Sequence, residues 1–583
     1  MPTLEWIGKE KVVNHHLEVP YRVLERKYSF DENGQTEADN GSENKIIHGD
    51  NLEALKSLLP QYEGKVKCIY IDPPYNTGNE GWVYNDNVND PHIKAWLNKT
   101  VGKEGEDLSR HDKWLCMMYP RLKLLQKLLS EDGAIFISID DTEYANLKLI
   151  CDEIFGSNCF VSNISWQRTY STRNDSKGIV NEVEHIVVYS KQPDWNPNKL
   201  PRTAEMDAKY KNPDNDRTLW RTDNAFAPGA ATHQGMVYAI QHPFTGKMLY
   251  PSNGACWRYQ QDQMLEIMRG WCSYELRDLN DSHERAVVCG VPESDVRQGV
   301  QAIVLSEPLK VSKQKAQAVY DRGQWPRFFF TKGGKGGIAR KTYLENVGGK
   351  LPTNFWAFTE TGHTDEAKKE MLAIFDGKAT FDTPKPHRLI EFVLKVAGNE
   401  SALILDSFAG SGTTAHAVLN MNKADGGNRK FILVEMGDYA DSITAERVKR
   451  VINGYGEGKN AVPGTGGDFS FYELGEPLMI GDVLNENVGV DKIREYVYFT
   501  DTKTPLPESS PEEPYLMGVH VNSAYYFYYE KQSVTTLNRQ FLHSVKTKAG
   551  AYVFYADLCT LSETELEKYH ITFKKIPRDI TKL

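Results

Sequence analysis

Two short stretches hold residue types whose spacing could do chemistry. The first is "YIDPPYNTGNE" at 70–80, directly after the apolar run "KVKCIY". Pro73 and Pro74 lack N–H groups and fix φ, so this turn is stiff and offers carbonyl oxygens in place of donors. Asp72 adds a carboxylate acceptor, and Tyr75 adds an aromatic face. An acceptor pair beside a stacking ring is what the exocyclic amino group of a planar base requires. The Asp72 side chain and the Pro73 carbonyl would take the two amino hydrogens while Tyr75 stacks on the ring. Drawing on both hydrogens withdraws the nitrogen lone pair from the ring and aims it at an electrophile. A rigid surface turn would use the same residues, so the rest of the chain has to decide.

The second stretch is "ILDSFAGSGTTAHAVL" at 404–419, which reads as strand, Gly-x-Gly turn and helix. Gly410 and Gly412 permit positive φ and close approach of a ligand to the backbone. The helix beginning at Thr413 offers unpaired N–H groups to a carboxylate or phosphate. The turn departs from the dinucleotide fingerprint Gly-x-Gly-x-x-Gly and from the P-loop, since no Gly-Lys-Ser/Thr follows. Glu435 ends the next apolar run, "KFILVE", where a carboxylate can take a pair of ribose hydroxyls. Asp406, Gly410, Gly412 and Glu435 together suggest an adenosine-bearing ligand.

The elements that must position these turns alternate in type. "KIIH", "VKCIYI" and "GAIFISI" read as buried strands, and "LEALKSLL", 113–129 and 146–155 read as helices. Alternation fades from about 195 to 355 and returns with a helix at 386–398, a strand at 402–406, a helix at 413–421 and a strand at 430–435. This pattern predicts an α/β fold with a mostly parallel, doubly wound sheet, interrupted by an insert of roughly 160 residues. Both turns would lie at carboxyl ends of strands, where open α/β sheets bind ligands. Residues 1–43 are polar and read as an exposed extension. The segment 44–194 forms the first part of the sheet domain and 356–455 the second. Beyond a Pro- and Glu-rich linker at 503–514, strand-like "SAYYFYY" suggests a small α+β domain over 456–583 that has little core of its own.

Composition narrows the partners. The 583 residues exceed what one core supports, so two to four domains are expected. No apolar run is long enough to span a membrane, and the first residues lack the apolar core of a secretory signal. Eight cysteines without a Cys-x-x-Cys pair read as free thiols in a reducing cytoplasm, with neither disulfides nor a metal site. The net charge of −10 argues weakly against nucleic acid. Yet Lys310–Lys350 carries ten Lys or Arg against Asp321 and Glu345, with aromatic residues interleaved. Such a stretch is a solvated basic face or a nucleic-acid contact, with Lys332, Lys335, Arg340 and Lys341 as candidate phosphate ligands.

On these motifs the chain resembles the amino-methylating DNA methyltransferases of the permuted β group. "DPPY" is similar to their catalytic motif and "DSFAGSG" to their cofactor loop, placed before and after the target-recognition insert. "GDNLEALKSLL", "YIDPPYNTG", "DLSRHDKWLCMMYPRLKLL", "ISIDDTEYANLK", "TPKPHRLI", "DSFAGSGTTAHAVLNMN" and "GGNRKFILVEM" further resemble the modification subunit of type III restriction–modification systems, over roughly 44–455. The resemblance implies a circularly permuted methyltransferase (Rossmann-like) sheet. It also implies S-adenosylmethionine as cofactor, with no metal, and double-stranded DNA as substrate. A homodimer and a possible helicase–nuclease restriction partner are implied as well. Carried over by residue, Asp72, Pro73, Pro74 and Tyr75 hold a flipped adenine. Asp406, Phe408, Ala409, Gly410, Gly412 and Thr413 line the cofactor, and Glu435 binds its ribose. Asp50 meets the cofactor's adenine amino group, and Lys385 lies near its methionine end. Two rival readings stay open: the same chemistry on cytosine, and a catalytically silent DNA-binding specificity protein.

Overall fold

Short apolar runs rich in β-branched residues, such as "VKCIYI" and "KFILVE", become strands covered on both faces, the usual setting of parallel sheets. The computed structural model describes residues 3–77, 108–170, 179–508 and 511–578. Among these, one large sheet is built from β1 (Arg22–Asp31), β2 (Gly34–Thr36), β3 (Lys45–His48), β4 (Val66–Ile71), β5 (Leu129–Ile139), β6 (Phe160–Gln167), β7 (Val183–Ser190), β8 (Phe355–Trp356), β9 (Leu403–Asp406), β10 (Lys430–Glu435) and β11 (Phe469–Pro477). Its spatial order is β8-β6-β7-β5-β4-β9-β10-β3-β11-β1-β2.

The run β5-β4-β9-β10-β3-β11 is parallel throughout, whereas β7 is antiparallel to both β5 and β6. Late strands β9 and β10 thus sit between early strands β4 and β3. Ile404 pairs with Cys68 and Leu405 with Ile69, so the carboxyl ends of β4 and β9 are neighbours. Two turns more than three hundred residues apart in sequence therefore open onto the same edge of the sheet. The helices Asn51–Tyr62, Leu108–Leu128 and Tyr144–Phe155 cover one face through Leu55, Leu58, Trp114, Leu122 and Ile150. On the other face, His387–Ala397 packs on β4 and β5, and Thr413–Asp425 packs on β10. The architecture is α/β with a mostly parallel, doubly wound sheet.

The chain divides into two compact units, one formed by Met1–Asn198 with Pro352–Leu583 and the other by Lys199–Leu351. Three expectations at the ends need correction. The N-terminal segment is no loose extension: β1 and β2 close one edge of the sheet, and Trp6, Val12 and Val19 join its core. Nor does the sheet domain stop at 455, because β11 pairs in parallel with β3 and antiparallel with β1. Beyond β11 lies a four-stranded sheet of Leu516–His520, Ser523–Phe527, Ala551–Ala556 and Ile571–Lys575. Its aromatic strand does have a core: Tyr526, Phe527 and Tyr529 are buried within this chain, and buried Arg578 bridges Asp557.

The second unit has short strands and an aromatic centre, which explains its missing periodicity. Phe328–Phe330, Ile338–Tyr343 and Trp220–Asn224 form a three-stranded sheet over Trp220, Trp257, Trp271 and Phe328.

Candidate functional site

Four adjacent parallel strands end in acids: β4 leads into Asp72, β9 ends in Asp406, β10 in Glu435, and β3 leads into Asp50. Asp72–Tyr75 is a turn fixed from three sides. Trp114 Nε1 donates to the Pro74 carbonyl at 2.7 Å. Asn76 takes φ 60° and donates to the fully buried Glu143 at 2.5 Å. Glu143 also accepts from His111 at 2.6 Å and Asn146 at 2.8 Å. Sequence reasoning does not single out Trp114 or Glu143. Tryptophan in an apolar helix and glutamate after a strand carry no signal of their own.

Asp72 and Tyr75 are joined directly, the Tyr75 hydroxyl donating to Asp72 Oδ1 at 2.8 Å. Lys385 joins them from 313 positions along the chain. Its ammonium lies on the Asp72 carboxylate at 2.7 and 2.8 Å, donates to the Tyr75 hydroxyl at 2.8 Å, and stands 5.1 Å from the Tyr75 ring centre. Only its backbone carbonyl reaches the glycine turn, accepting from Thr413 Oγ1 at 3.3 Å. Glu184 on β7 adds a second carboxylate 3.6 Å from the ammonium, and Arg168 binds its other oxygen at 3.1 Å. Burial raises the pKa of Asp72, with Lys385 opposing. Burial works against the Lys385 ammonium, but Asp72 and Glu184 outweigh it and raise its pKa.

The glycine turn is tied to its neighbours by backbone and carboxylates. The Glu435 oxygens accept from Gly410 N at 2.7 Å and Gly437 N at 2.9 Å, and Ala409 N bonds the Val434 carbonyl. Gly410 and Gly412 have φ of 51° and 80°. A Cβ on Gly412 would stand 2.9 Å from the Thr444 carbonyl, so this glycine serves close packing of the turn on 440–445. Thr444 in turn donates to the Gly410 carbonyl at 2.6 Å. Phe408 and Ala409 are buried, and the buried Ser407 hydroxyl has no hydrogen-bond partner among the described residues. Asp50 caps the helix Asn51–Tyr62 through Leu52 N at 2.8 Å, and its other oxygen is 3.4 Å from Arg121.

Asp406 accepts from Phe408 N at 3.0 Å and from the Thr414 hydroxyl at 2.6 Å. Burial first, then the charges of Asp72 and Glu435, push its carboxyl up to about 7. These buried acids feel one another, so the crevice suits a cationic ligand. The native carboxyl titrates far above the usual value of about 3.9, so the folded state binds the extra proton. Stability from this group is therefore greatest in acid and falls as pH rises from about 4 through 7. Asp406→Asn removes that dependence, so its melting temperature relative to the parent should rise between pH 5 and pH 8. Thermal melts across that range test this, and a constant difference would refute it.

Behind the turn, buried Arg447 donates to Ser411 Oγ at 2.9 Å, Thr413 Oγ1 at 2.8 Å and Glu370 at 3.0 Å. Glu370, His387 and His416 have the spacing of a metal site among the described residues. Arg447, however, also donates to His416 Nδ1 at 3.1 Å and fills that space with positive charge. Burial pushes Glu370 up, but His387 and Arg447 hold its carboxyl down at about 2. The cluster is an ion-pair network bracing the glycine turn.

In the second unit the basic stretch splits. Lys332 and Lys335 are exposed on the tip that joins Phe328–Phe330 to Ile338–Tyr343. Lys341 is corrected: it is fully buried, pairs with Asp214 at 2.5 Å and Asp216 at 2.6 Å, and stands 4.9 Å from the Trp220 ring centre. Arg340 is corrected too, since it is mostly buried and its guanidinium pairs with Asp223. Neither presents its charge to a phosphate.

A family model described as DNA methylase matches residues 66–446. The StyLTI Mod subunit, a type III restriction-modification enzyme of Salmonella typhimurium, is 34% identical over 440 residues, covering 70% of this chain and 57% of that protein. The EcoP15I Mod subunit of Escherichia coli is 29% identical over 472 residues, covering 78% and 66%. The chain thus spans between 57% and 66% of the length of these two relatives. Among solved structures, the PvuII DNA methyltransferase (cytosine-N4-specific) aligns at 14% identity over 70% of this chain and 86% of its own, with a TM-score of 0.31. No helix among the described residues is long and apolar enough to cross a membrane.

Proposed function

We propose that this chain, which belongs to the DNA methylase family, methylates the exocyclic amino group of an adenine in double-stranded DNA. In this reading it is the modification and specificity subunit of a type III restriction–modification system, acting in the cytoplasm as a homodimer beside a restriction subunit. The observation that carries the reading is the adjacency of the Asp72–Tyr75 turn and the glycine turn on neighbouring parallel strands.

S-adenosylmethionine, when bound, supplies a sulfonium methyl that is electrophilic enough to need no metal. The residues present fit it: Asp72, Asp406 and Glu435 are largely buried and close enough for their charges to interact, and the Ser407 hydroxyl, without a partner among the described residues, lies within the turn. Asp50, Asp406, Phe408, Ala409, Gly410, Gly412, Thr413 and Glu435 would hold the cofactor. Asp72 and the Pro73 carbonyl take the amino hydrogens of the flipped base, while Tyr75 stacks on its ring. Pro74 stiffens the turn, and Trp114 anchors it. Alignment of two reactants can contribute about 7–11 kcal/mol, and extrusion of the base costs a few kcal/mol. Incubating plasmid DNA with labelled cofactor and digesting it to nucleosides tests the reading. N6-methyladenine is expected; N4-methylcytosine would reassign the base, and no methyl transfer would leave a silent specificity protein.

Lys332 and Lys335 are proposed to bind phosphates without specifying sequence. Replacing both by alanine should weaken binding to matched and unmatched DNA alike. The slope of log K against log salt should become shallower by roughly 0.9 for each phosphate no longer neutralised, with cofactor affinity unchanged. Titrations at several salt concentrations check this, and an unaltered slope would make the tip a solvated loop.

A further inference from the structure

The Lys385 ammonium occupies the Asp72 acceptors that the target base's amino group must use. It bonds both oxygens of Asp72 and the hydroxyl of Tyr75, and it stands 5.1 Å from the Tyr75 ring centre. An amino group seeking Asp72 meets a donor already there, one that also holds the Tyr75 hydroxyl. The ammonium cannot simply leave, since an unpaired charge in a buried crevice is strongly disfavoured.

An alternative partner is close by. Glu184 Oε2 is buried and accepts no hydrogen bond among the described residues, while Glu184 Oε1 is held by Arg168 at 3.1 Å. The distance from Lys385 Nζ to Glu184 is 3.6 Å, so a shift of somewhat under 1 Å along a flexible four-carbon stem closes a hydrogen bond. Arg168 prevents Glu184 from turning away. Lys385 itself begins the segment that reaches the glycine turn through its carbonyl and Thr413.

We propose that Lys385 is a base-displaced latch: it holds Asp72 and Tyr75 together while the pocket holds no base, and passes its ammonium to Glu184 when a base's amino group takes Asp72. The inference rests on the methyltransferase reading above. Lys385 and Glu184 are positioning residues in this scheme. The latch keeps charge balanced in both arrangements and yields Asp72 only to an arriving amino group. A base that offers no amino group at that position cannot displace it, so the exchange adds discrimination to stacking.

A double-mutant cycle tests this, because Glu184 must act through Lys385. Glu184→Gln removes the receiving charge, so kcat/KM for DNA should fall about tenfold, a size usual for contacting pairs. The Kd for S-adenosylmethionine should stay within twofold. In a Lys385→Met background the same Glu184→Gln change should alter kcat/KM less than twofold. An equal loss in both backgrounds would mean that Glu184 only braces Arg168, and no loss in the parent would remove it from the reaction; either overturns the latch. Should Lys385→Met prove inactive, the cycle is read from the Kd of a duplex that keeps adenine at the methylated position and carries 2-aminopurine beside it, whose fluorescence reports extrusion of that adenine without chemistry. Lys385→Gln replaces Lys385→Met if thermal melts reveal a folding defect. Absence of methyl transfer by the parent chain would instead sink the methyltransferase reading itself.

Discussion

Asp72→Ala should lower methyl transfer by at least about 10³-fold and leave S-adenosylmethionine affinity within about threefold. Removing one preorganised hydrogen-bonding group at a reacting centre typically costs about 10²–10³ in rate. Here the same group also orients the Tyr75 hydroxyl at 2.8 Å and holds the Lys385 ammonium, so alignment is lost with it. Breaking a buried ion pair usually costs about 3–5 kcal/mol because a charge is left alone. Lys385 keeps Glu184 within 3.6 Å, so the fold should survive, as melting curves will register. Calorimetry with the cofactor and a methylation assay measure the two halves separately. Asp72→Asn retains one acceptor oxygen and should fall between alanine and the parent. Activity within tenfold of the parent for Asp72→Ala would remove Asp72 from the base-binding role.

What the sequence revealed of this site was the part written locally. Two prolines between Asp72 and Tyr75 define a turn by themselves, and Gly410–Thr413 defines another, because their backbone rules need no distant partner. The apolar runs that became β4, β9 and β10 were equally plain, since strands buried on both faces admit little else. Contacts across the fold were not legible. Lys385 reaches Asp72 from 313 positions away, and Trp114 reaches Pro74 from 40. The late strand β11 joins the sheet by pairing with β3, and the N-terminal strand β1 joins by pairing with β11, as Phe30 pairs with Phe469. Charge counting misread the basic stretch for a related reason. In Ile338–Tyr343, adjacent side chains point to opposite faces, so Arg340 and Lys341 cannot both face one phosphate backbone. Asp214 and Asp216 claim Lys341, and their spacing in "NPDNDRT" gives no hint of it.

Gly412→Val should abolish measurable S-adenosylmethionine binding, and Gly412→Ala should weaken it at least about tenfold. At φ 80° any side chain is strained, by about 1–3 kcal/mol, and a β-branched one more so. Strain is only part of the effect. The added Cβ would meet the Thr444 carbonyl at 2.9 Å, and backbone cannot step aside as a flexible side chain can. Thr444 also donates to the Gly410 carbonyl, and Gly410 N is held by Glu435, so the push travels to both flanks of the turn. Arg447 fixes Ser411 and Thr413 from behind, which leaves the turn no direction in which to relax except toward the ligand. The second unit should be untouched, so the salt-dependent affinity for bulk DNA should equal that of the parent. Calorimetry and DNA titration on the same preparation separate a local failure of the turn from general unfolding. If Gly412→Val binds the cofactor within threefold of the parent, the turn is not where the cofactor sits.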